Sequence, residues 1–282
     1  MKVIVTGAGG QLGRALVDRF SSIASVLPLT RQDLDVTRDA DVARTVRAER
    51  PDVLINCSAY NAVDAAEENA ALALDVNAFA VRALAGAARD AGAALVHYGT
   101  DFVFDGRASR PYVETDDPLP QSHYGLSKLL GEWFAADAPA HYVLRVESLF
   151  GGSLARSSVD RLLEAIRRDE PARVFTDRTV TPSFVEDVAD ATAKLLELRP
   201  EPGVYHCVNS GVTTWLGVAE ACARLLGRTP TLIPVSVASV PMRAVRPKYC
   251  ALSNEKLRAA GVPMPPWQDA LERYVLSRNS FE

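Results

Sequence analysis

Short apolar runs alternate with segments of helical periodicity along the first part of the chain. The run Lys2–Val5 enters a glycine-rich turn, the following residues carry apolar side chains at helical spacing, and Val26–Leu29 is again extended. The pattern then predicts helices over Asp39–Arg50 and about Ala70–Ala91, and strands at Val53–Cys57, Ala94–His97, Tyr142–Arg145 and Arg173–Phe175. Parallel strands joined by right-handed crossovers carry helices on both faces, so the pattern predicts a doubly wound α/β Rossmann sheet.

The composition of the sequence changes after about Phe150, where Gly and Pro become frequent. A strand-like Val204–Val208 and a helix-like Trp215–Leu226 follow, and Phe184–Leu198 has the pattern of a long helix. We therefore predict an NAD(P)-binding Rossmann domain over 1–150 and a smaller, discontinuous C-terminal substrate lobe over 151–282. About 172–200 are expected to return to the Rossmann sheet.

Composition narrows the classes of function. The 282 residues are 48% hydrophobic and 23% charged, with a net charge of -4 and no run of Lys or Arg, which argues against nucleic acid as a partner. We see no apolar run near the roughly 20 residues of a membrane span and no signal-like region before the first strand, so we expect a cytoplasmic protein without a membrane partner. The histidines and cysteines are scattered without ligand spacing, which predicts reduced structural thiols and no metal site.

Three glycines follow the first strand at intervals of three residues. Gly7, Gly10 and Gly13 lie where the absence of side chains lets backbone amides approach a pyrophosphate at a helix N-terminus. The strand before them and the amphipathic helix after them make this a dinucleotide site rather than a simple turn. At the end of the second strand the chain carries Arg31, which suits a 2′-phosphate and favours NADP(H), with NAD(H) as the alternative because Asp33 and Asp35 lie close by.

A phenol and an amine stand four residues apart at Tyr124 and Lys128. On a helix both side chains project from one face, and Thr100 follows a strand whose carboxyl end lies at the ligand-binding edge of such a sheet. Tyr124 would donate a proton to a ketone oxygen, Lys128 would stabilise the resulting phenolate, and Thr100 would hold that oxygen. The alternative is a half-buried helix tyrosine with a solvated lysine.

These patterns together resemble one family, the dTDP-4-dehydrorhamnose reductases among the extended short-chain dehydrogenases. The similarity covers essentially the whole chain and lies in these segments: Gly7–Gly13, Asp33–Thr37, Asn56–Asp64, His97–Gly106, the tyrosine-lysine pair, and Arg246-Pro247. The resemblance implies NADPH-dependent reduction of the 4-keto group of a nucleotide-activated 6-deoxy sugar, dTDP-4-dehydro-L-rhamnose or a related dTDP-deoxyhexose.

The resemblance also implies a role for particular residues. Those expected along the cofactor, besides the three glycines, Arg31, Tyr124 and Lys128, are Gln11, Leu12, Asp35, Val36, Ala59, Tyr60, Asn61 and Tyr98. Those expected at the sugar nucleotide are Thr100, Asp101, Phe102, Leu149 and Arg246, the arginine at the diphosphate.

The chain departs from the family where the sugar is expected to bind. Gly99 replaces a common serine and Phe102 a common tyrosine, and Glu147-Ser148-Leu149 stands in place of a usual serine-tryptophan pair. The segment Asp177–Ser183 departs from the usual D-Q-x-G-x-P-T. Losing an aromatic platform and a phenol hydroxyl changes the contacts that discriminate sugars, which leaves the hexose open.

Two other classes of function stay open from the sequence. One is a non-catalytic NADP-binding regulatory subunit, since the methionine adenosyltransferase β subunit resembles the same family. The other is a sugar-nucleotide epimerase or dehydratase, which keeps the Tyr-Lys chemistry but recycles its cofactor. The nucleotide, the product stereochemistry and the oligomeric state, a homodimer among the options, are also open.

Overall fold

The apolar runs of the sequence form the strands around which the molecule is built. A computed structural model describes residues 1–279. Its strands are β1 (Lys2–Thr6), β2 (Ser25–Leu29), β3 (Val53–Asn56), β4 (Ala94–Thr100), β5 (His141–Val146), β6 (Leu149–Phe150), β7 (Ala172–Phe175), β8 (Thr179–Val180), β9 (Ser183–Phe184), β10 (Gly203–His206), β11 (Thr213–Thr214) and β12 (Leu232–Val235).

The helices connect these strands and cover the sheet. They are α1 (Gln11–Ser21), α2 (Asp39–Glu49), α3 (Val63–Ala66), α4 (Ala70–Leu74), α5 (Ala80–Ala91), α6 (His123–Ala135), α7 (Ser158–Arg167), α8 (Val185–Leu198), α9 (Trp215–Leu225), α10 (Glu255–Ala259) and α11 (Trp267–Asn279). A π-helical turn, Asp75–Phe79, joins α4 to α5, and a short 3₁₀ turn, Asp101–Val103, follows β4.

Six parallel strands form the main sheet in the order β10-β5-β4-β3-β1-β2. Val3, Ile4 and Val5 of β1 are fully buried because helices cover both faces of the sheet. Pro28, which cannot donate a backbone hydrogen bond, lies in β2 at the edge of the sheet. The predicted α/β fold with a parallel Rossmann sheet is confirmed.

Two apolar layers flank this sheet. On one face α1 and α8 pack together in a core that includes Leu16, Phe20 and Val188. On the other face α2 and α5 pack against β1, β3 and β4 through residues such as Val46 and Leu84. The carboxyl ends of β1, β3 and β4 therefore open between the two helix layers, where the loops that follow them meet.

A second apolar core lies outside the main sheet. It joins α7, α9 and α11 with the two-stranded pairings β7 with β12 and β8 with β11. The predicted strand at Arg173–Phe175 exists, but it pairs with β12 instead of extending the main sheet. The segment that reaches the Rossmann sheet is Val185–His206, later in the chain than the expected 172–200. The reason is that α8 covers α1 and β10 extends the sheet beyond β5.

One helical run is longer and more apolar than the sequence analysis predicted, since no run near the length of a membrane span was expected. Ala70–Ala91, which spans α4, the π turn and α5, is 22 residues long and contains an 18-residue window with a mean hydropathy of 1.4, enough to cross a membrane by length and composition. In the structure its residues Val81, Leu84 and Ala85 are fully buried against the sheet and its other helices. The core helix of an α/β fold has the same composition, so the run is weak evidence for a membrane span.

Candidate active site

The glycine-rich turn between β1 and α1 leaves no room for side chains. Gly7 has a φ of +67°, and an added Cβ atom there would lie 2.6 Å from the backbone of Cys57. At Gly13 an added Cβ atom would collide with the carbonyl oxygen of Gly7. The first helical residues have no side-chain cap, so the free N–H groups at the start of α1 face a large cavity. This arrangement suits a pyrophosphate.

A second cavity, of about 430 Å³, continues from the glycine turn along the ends of β2 and β3. Arg31 lines it together with Asp35, Val36 and Tyr60. The Asp35 carboxylate accepts hydrogen bonds from the hydroxyl and the N–H group of Thr37, at 2.7 and 3.1 Å, and these bonds lower its pKa. Within residues 1–279 the Arg31 side chain forms no hydrogen bond or salt bridge of its own, so its guanidinium is available to a ligand.

The tyrosine and lysine are brought to the large cavity by the start of α6. Ser122 caps this helix by accepting a hydrogen bond from the N–H group of Gly125 at 3.1 Å. Tyr124 and Lys128 follow one turn apart on the buried face, and the Lys128 Nζ atom donates to the backbone carbonyl of Tyr98 at 2.5 Å. Thr100 ends β4 and lines the same cavity. The structure therefore brings the three side chains together.

Burial dominates the ionisation of this site. It raises the pKa of the Tyr124 phenol, the charge of Asp101 raises it further, and a hydrogen bond with Thr100 opposes both effects. Burial also lowers the pKa of Lys128 to about 8, against the charge of Glu132, which favours the ammonium form. Near neutral pH the site therefore holds a neutral phenol beside a protonated amine.

The far wall of the cavity carries charge. Asp101 and Glu147 are 4% and 1% exposed, and one oxygen of each lies within 4.8 Å of the other and of the Sγ atom of Cys250. Burial raises the pKa of Asp101, and it raises that of Glu147 to about 8 with a contribution from the Asp101 charge. Arg178 supplies the positive charge here, which lowers the pKa of both carboxyl groups.

Comparison with known proteins identifies the family. Residues 1–279 match the family described as RmlD substrate binding domain. The dTDP-4-dehydrorhamnose reductase of Burkholderia thailandensis is 35% identical over 96% of this chain and 97% of its own length. The chain belongs to the dTDP-4-dehydrorhamnose reductase family.

Two other proteins resemble the chain over almost its whole length. The probable dTDP-4,6-dihydroxy-2-methyloxan-3-one 4-ketoreductase of Streptomyces antibioticus is 37% identical over 96% of this chain and 93% of its own. The dTDP-4-dehydrorhamnose reductase of Bacillus anthracis, solved in complex with NADP, has a TM-score of 0.93 and 32% identity. That comparison covers 98% of this chain and 99% of the other.

The residues that the sequence assigned to cofactor and substrate all line the two cavities. The large cavity, of about 640 Å³, includes Gly10, Gln11, Leu12, Gly13, Ala59, Asn61, Tyr98, Thr100, Asp101, Phe102, Tyr124, Lys128, Leu149 and Arg246, and the second includes Gly7, Arg31, Asp35, Val36 and Tyr60. Some of these side chains also form hydrogen bonds within the protein. The Tyr98 hydroxyl pairs with Thr192 at 2.7 Å, and Gln11 donates to the carbonyl of Gly151 at 2.9 Å.

Arg246 is held by Asp64, a partner that the sequence analysis did not predict. Its Nη2 atom donates to the carboxylate of Asp64 at 2.7 Å, and its guanidinium lies 5.8 Å from the ring centre of Phe102. Asp64 belongs to the Asn56–Asp64 motif and also accepts the N–H group of Ala244 at 3.0 Å. Two motifs separated by 182 positions are thus joined at the mouth of the cavity.

The departures from the family have structural explanations at two positions. An added Cβ atom at Gly99 would collide with the Oε1 atom of Glu132, which Arg145 holds in a buried ion pair at 2.8 Å, so serine is excluded from this arrangement. Phe102 packs edge-on against Tyr124, with ring centres 5.4 Å apart, and needs no hydroxyl for that contact.

Several residues of the site were not found from the sequence. Arg161, Trp215 and Met242, all from the second lobe, line the large cavity, and Glu147 and Arg178 contribute charge to it. Glu147 and Arg178 were noticed only as departures from family patterns, and no spacing rule connects them with Asp101 and Cys250. A buried glutamate beside an arginine 31 positions later gives no local signal.

Proposed function

We propose that this protein reduces the 4-keto group of a dTDP-linked 6-deoxy hexose with NADPH, and that dTDP-4-dehydro-L-rhamnose is the first substrate to test. The observation that carries the proposal is the meeting of Thr100, Tyr124 and Lys128 in one cavity that begins at the glycine-rich turn. A regulatory binding subunit has no need for a neutral phenol beside a buried ammonium. The names of the relatives support the same reaction class.

The residues present fit a dinucleotide. The amides at the start of α1 and the close approach at Gly7 and Gly13 leave space for a pyrophosphate, and Arg31 stands free at the end of β2. When bound, NADPH supplies the hydride that reduces the carbonyl carbon. Lys128 lies close enough to the glycine turn to line the same cavity, where an ammonium hydrogen-bonds ribose hydroxyls.

The protein's own side chains supply the proton that the carbonyl oxygen receives. Thr100 lies beside Tyr124, and its hydroxyl donates to the Asp101 carboxylate at 3.1 Å. On substrate binding this hydroxyl turns to donate to the carbonyl oxygen and orients that oxygen toward the phenol. As negative charge develops on that oxygen, the proton on the Tyr124 hydroxyl moves to it and the product alcohol forms. The Lys128 ammonium stabilises the phenolate left behind, and solvent returns the proton.

A smaller cavity of about 340 Å³ opens beside the large one and suits the nucleotide part of the substrate. Phe175 and Trp215 supply aromatic surface there, and Arg161 supplies a guanidinium. Aromatic walls with one or two cations match a base and its phosphates. The second lobe therefore binds the nucleotide part of the substrate, while the edge of the sheet holds the reacting ketone.

Replacing Arg31 tests the choice of cofactor. Arg31→Ala should lower kcat/KM for NADPH by about 10- to 100-fold, since a charge-assisted hydrogen bond to phosphate is worth roughly 1.5–3 kcal/mol. The value for NADH should stay within about twofold, because NADH carries no 2′-phosphate. Arg44→Ala, an exposed arginine on α2, is the matched control. An unchanged NADPH-to-NADH ratio removes Arg31 from cofactor recognition.

Replacing Arg246 tests the diphosphate contact. Arg246→Ala should raise KM for the sugar nucleotide about tenfold with a smaller change in kcat, because a bidentate guanidinium contact is lost away from the reacting atoms. Arg243→Ala, whose exposed side chain pairs with Glu68 nearby, serves as the control. An unchanged KM would show that Arg246 has only a structural role, in its ion pair with Asp64.

The proposal as a whole is tested by following NADPH oxidation at the nicotinamide absorbance band. dTDP-4-dehydro-L-rhamnose and its unepimerised 4-keto-6-deoxy-glucose precursor are offered separately. Oxidation with the first supports the proposed reaction, and oxidation with the second alone identifies another deoxysugar as the substrate. Product formation without net oxidation indicates an epimerase or dehydratase. Tight NADPH binding without turnover of either sugar indicates a regulatory subunit.

A further inference from the structure

The wall of the large cavity beside Thr100 holds a group of four side chains that the proposed proton transfer does not use. Asp101, Glu147, Arg178 and Cys250, here named the charged cluster, come from four separate parts of the chain. Asp101, Glu147 and Arg178 line the cavity, while Cys250 packs behind them and is 1% exposed. Two carboxyl groups and one guanidinium at the end of a substrate cavity are costly unless they bind something.

The two ends of the charged cluster differ in how firmly they are held. Glu147 accepts the N–H group of Thr181 at 2.6 Å and the hydroxyl of Ser148, so its carboxyl group is fixed. Arg178, in contrast, forms one hydrogen bond within residues 1–279, a long one of 3.6 Å to the Sγ atom of Cys250, and no salt bridge. Its guanidinium rests over the ring of Phe102 at 5.6 Å.

The charged cluster also leaves one donor and one acceptor without a partner. Among the described residues, neither the Nε atom of Arg178 nor the Oδ2 atom of Asp101 has a hydrogen bond. Each such buried group costs about 1–3 kcal/mol. The cluster is therefore short of a partner that can both accept from a guanidinium and donate to a carboxylate.

Among a phosphate, an ammonium group and a hydroxyl, only the hydroxyl meets both needs. A phosphate accepts from Arg178 but is repelled by the carboxylate of Asp101, and an ammonium group donates to that carboxylate but is repelled by Arg178. A hydroxyl group is donor and acceptor at once and carries no charge. The chemistry of the cluster therefore favours a neutral hydroxyl over either ion.

The position of the cluster indicates which hydroxyl this is. Asp101 follows Thr100 directly, the Thr100 Oγ1 atom donates to its carboxylate at 3.1 Å, and its charge acts on Tyr124. A group that meets Asp101 is thus next to the carbonyl oxygen held by Thr100 and Tyr124. In a 4-keto-6-deoxy hexose the neighbouring ring carbon with a hydroxyl group is C3.

We infer that the charged cluster determines specificity by binding the C3 hydroxyl of the keto sugar, with Asp101 accepting a hydrogen bond from it and Arg178 donating one to it. The inference rests on the proposed function and adds to it a requirement for a hydroxyl beside the ketone. A 3-deoxy sugar leaves the cluster without its partner. Because sites built to hydrogen-bond a hydroxyl reject analogues that lack it, kcat/KM should fall by roughly 100-fold or more.

The first experiment compares three substrates with the whole wild-type protein and NADPH. These are a dTDP-4-keto-6-deoxy hexose with its C3 hydroxyl, the 3-deoxy analogue and the 3-amino analogue. We expect the hydroxylated sugar to have the highest kcat/KM. Equal values for the hydroxylated and 3-deoxy sugars, or a preference for the amino sugar, overturn the inference while leaving the reductase function intact. Absence of turnover with all three overturns the proposed function itself.

The second experiment shows which residues carry the preference. Arg178→Gln and Asp101→Asn should each reduce the preference for hydroxyl over 3-deoxy by about tenfold, mainly by lowering kcat/KM for the hydroxylated sugar. Arg168→Gln, exposed just after the end of α7 and paired with Glu164, is the control. Melting temperature and NADPH affinity are measured for each variant. Equal losses with both sugars in two folded variants overturn the specificity role and leave the cluster a purely structural one.

Discussion

Tyr124→Phe should lower kcat by about 10²- to 10⁴-fold, the range in which one positioned proton donor contributes to catalysis. The change removes a single hydroxyl and keeps the ring that packs edge-on against Phe102, so the fold should persist. Affinity for NADPH, measured by fluorescence titration, should change little because the phenol acts on the ketone. The loss should therefore appear in kcat, with KM for the sugar nucleotide nearly constant.

The matched control for this variant is Tyr142→Phe. It also removes one hydroxyl, which donates to the carbonyl of Pro200 at 3.0 Å near the amino end of β5, away from Thr100. That variant should keep near-full kcat and lose only a little stability. If Tyr124→Phe retained a rate close to wild type, Tyr124 would not be the proton donor, and Thr100 would become the candidate.

Lys128→Met should lower kcat by about 10²-fold or more and change the pH dependence of the reaction. The amine is 3% exposed, and burial lowers its pKa to about 8, so it is charged below that pH and neutral above it. If the ammonium stabilises the Tyr124 phenolate, kcat/KM of the wild type should fall as pH rises through about 8. The Met variant should lack this basic limb.

Lys194→Met provides the comparison, since this lysine lies exposed on α8 in a surface ion pair with Glu197. It should keep both the rate and the pH profile of the wild type. A basic limb that persisted unchanged in Lys128→Met would assign the titration to another group. An unaltered kcat in that variant would contradict the role of the lysine altogether.

The parts of this fold that the sequence predicted are those specified by local pattern. Val3–Val5 is apolar on every residue because β1 is buried on both sides, and the glycines after it are required by close backbone contacts around the turn. Tyr124 and Lys128 share a face because of helical spacing alone. Such features are determined within a few residues and can be read without a structure.

The features that the sequence did not predict depend on long-range packing. Arg173–Phe175 has the composition of a central strand, yet its partner is β12, because pairing is decided by which apolar core the strand joins. Glu147 meets Asp101 through the pairing of β4 with β5, in which Thr100 lies opposite Val146, and Arg178 joins them from the second lobe. The Arg246–Asp64 ion pair likewise joins distant segments, and the sequence around either residue does not indicate the other.

The route of the chain through α8 and β10 also has a consequence for biosynthesis. The Rossmann sheet lacks its β10 edge strand, and α1 its cover, until Val185–His206 has been added. A fragment ending near Phe150 would expose the side of β5 and the apolar face of α1, which invites aggregation. On the ribosome, therefore, the dinucleotide-binding half cannot finish folding first, and it must wait for a segment that follows the first elements of the second lobe in the chain.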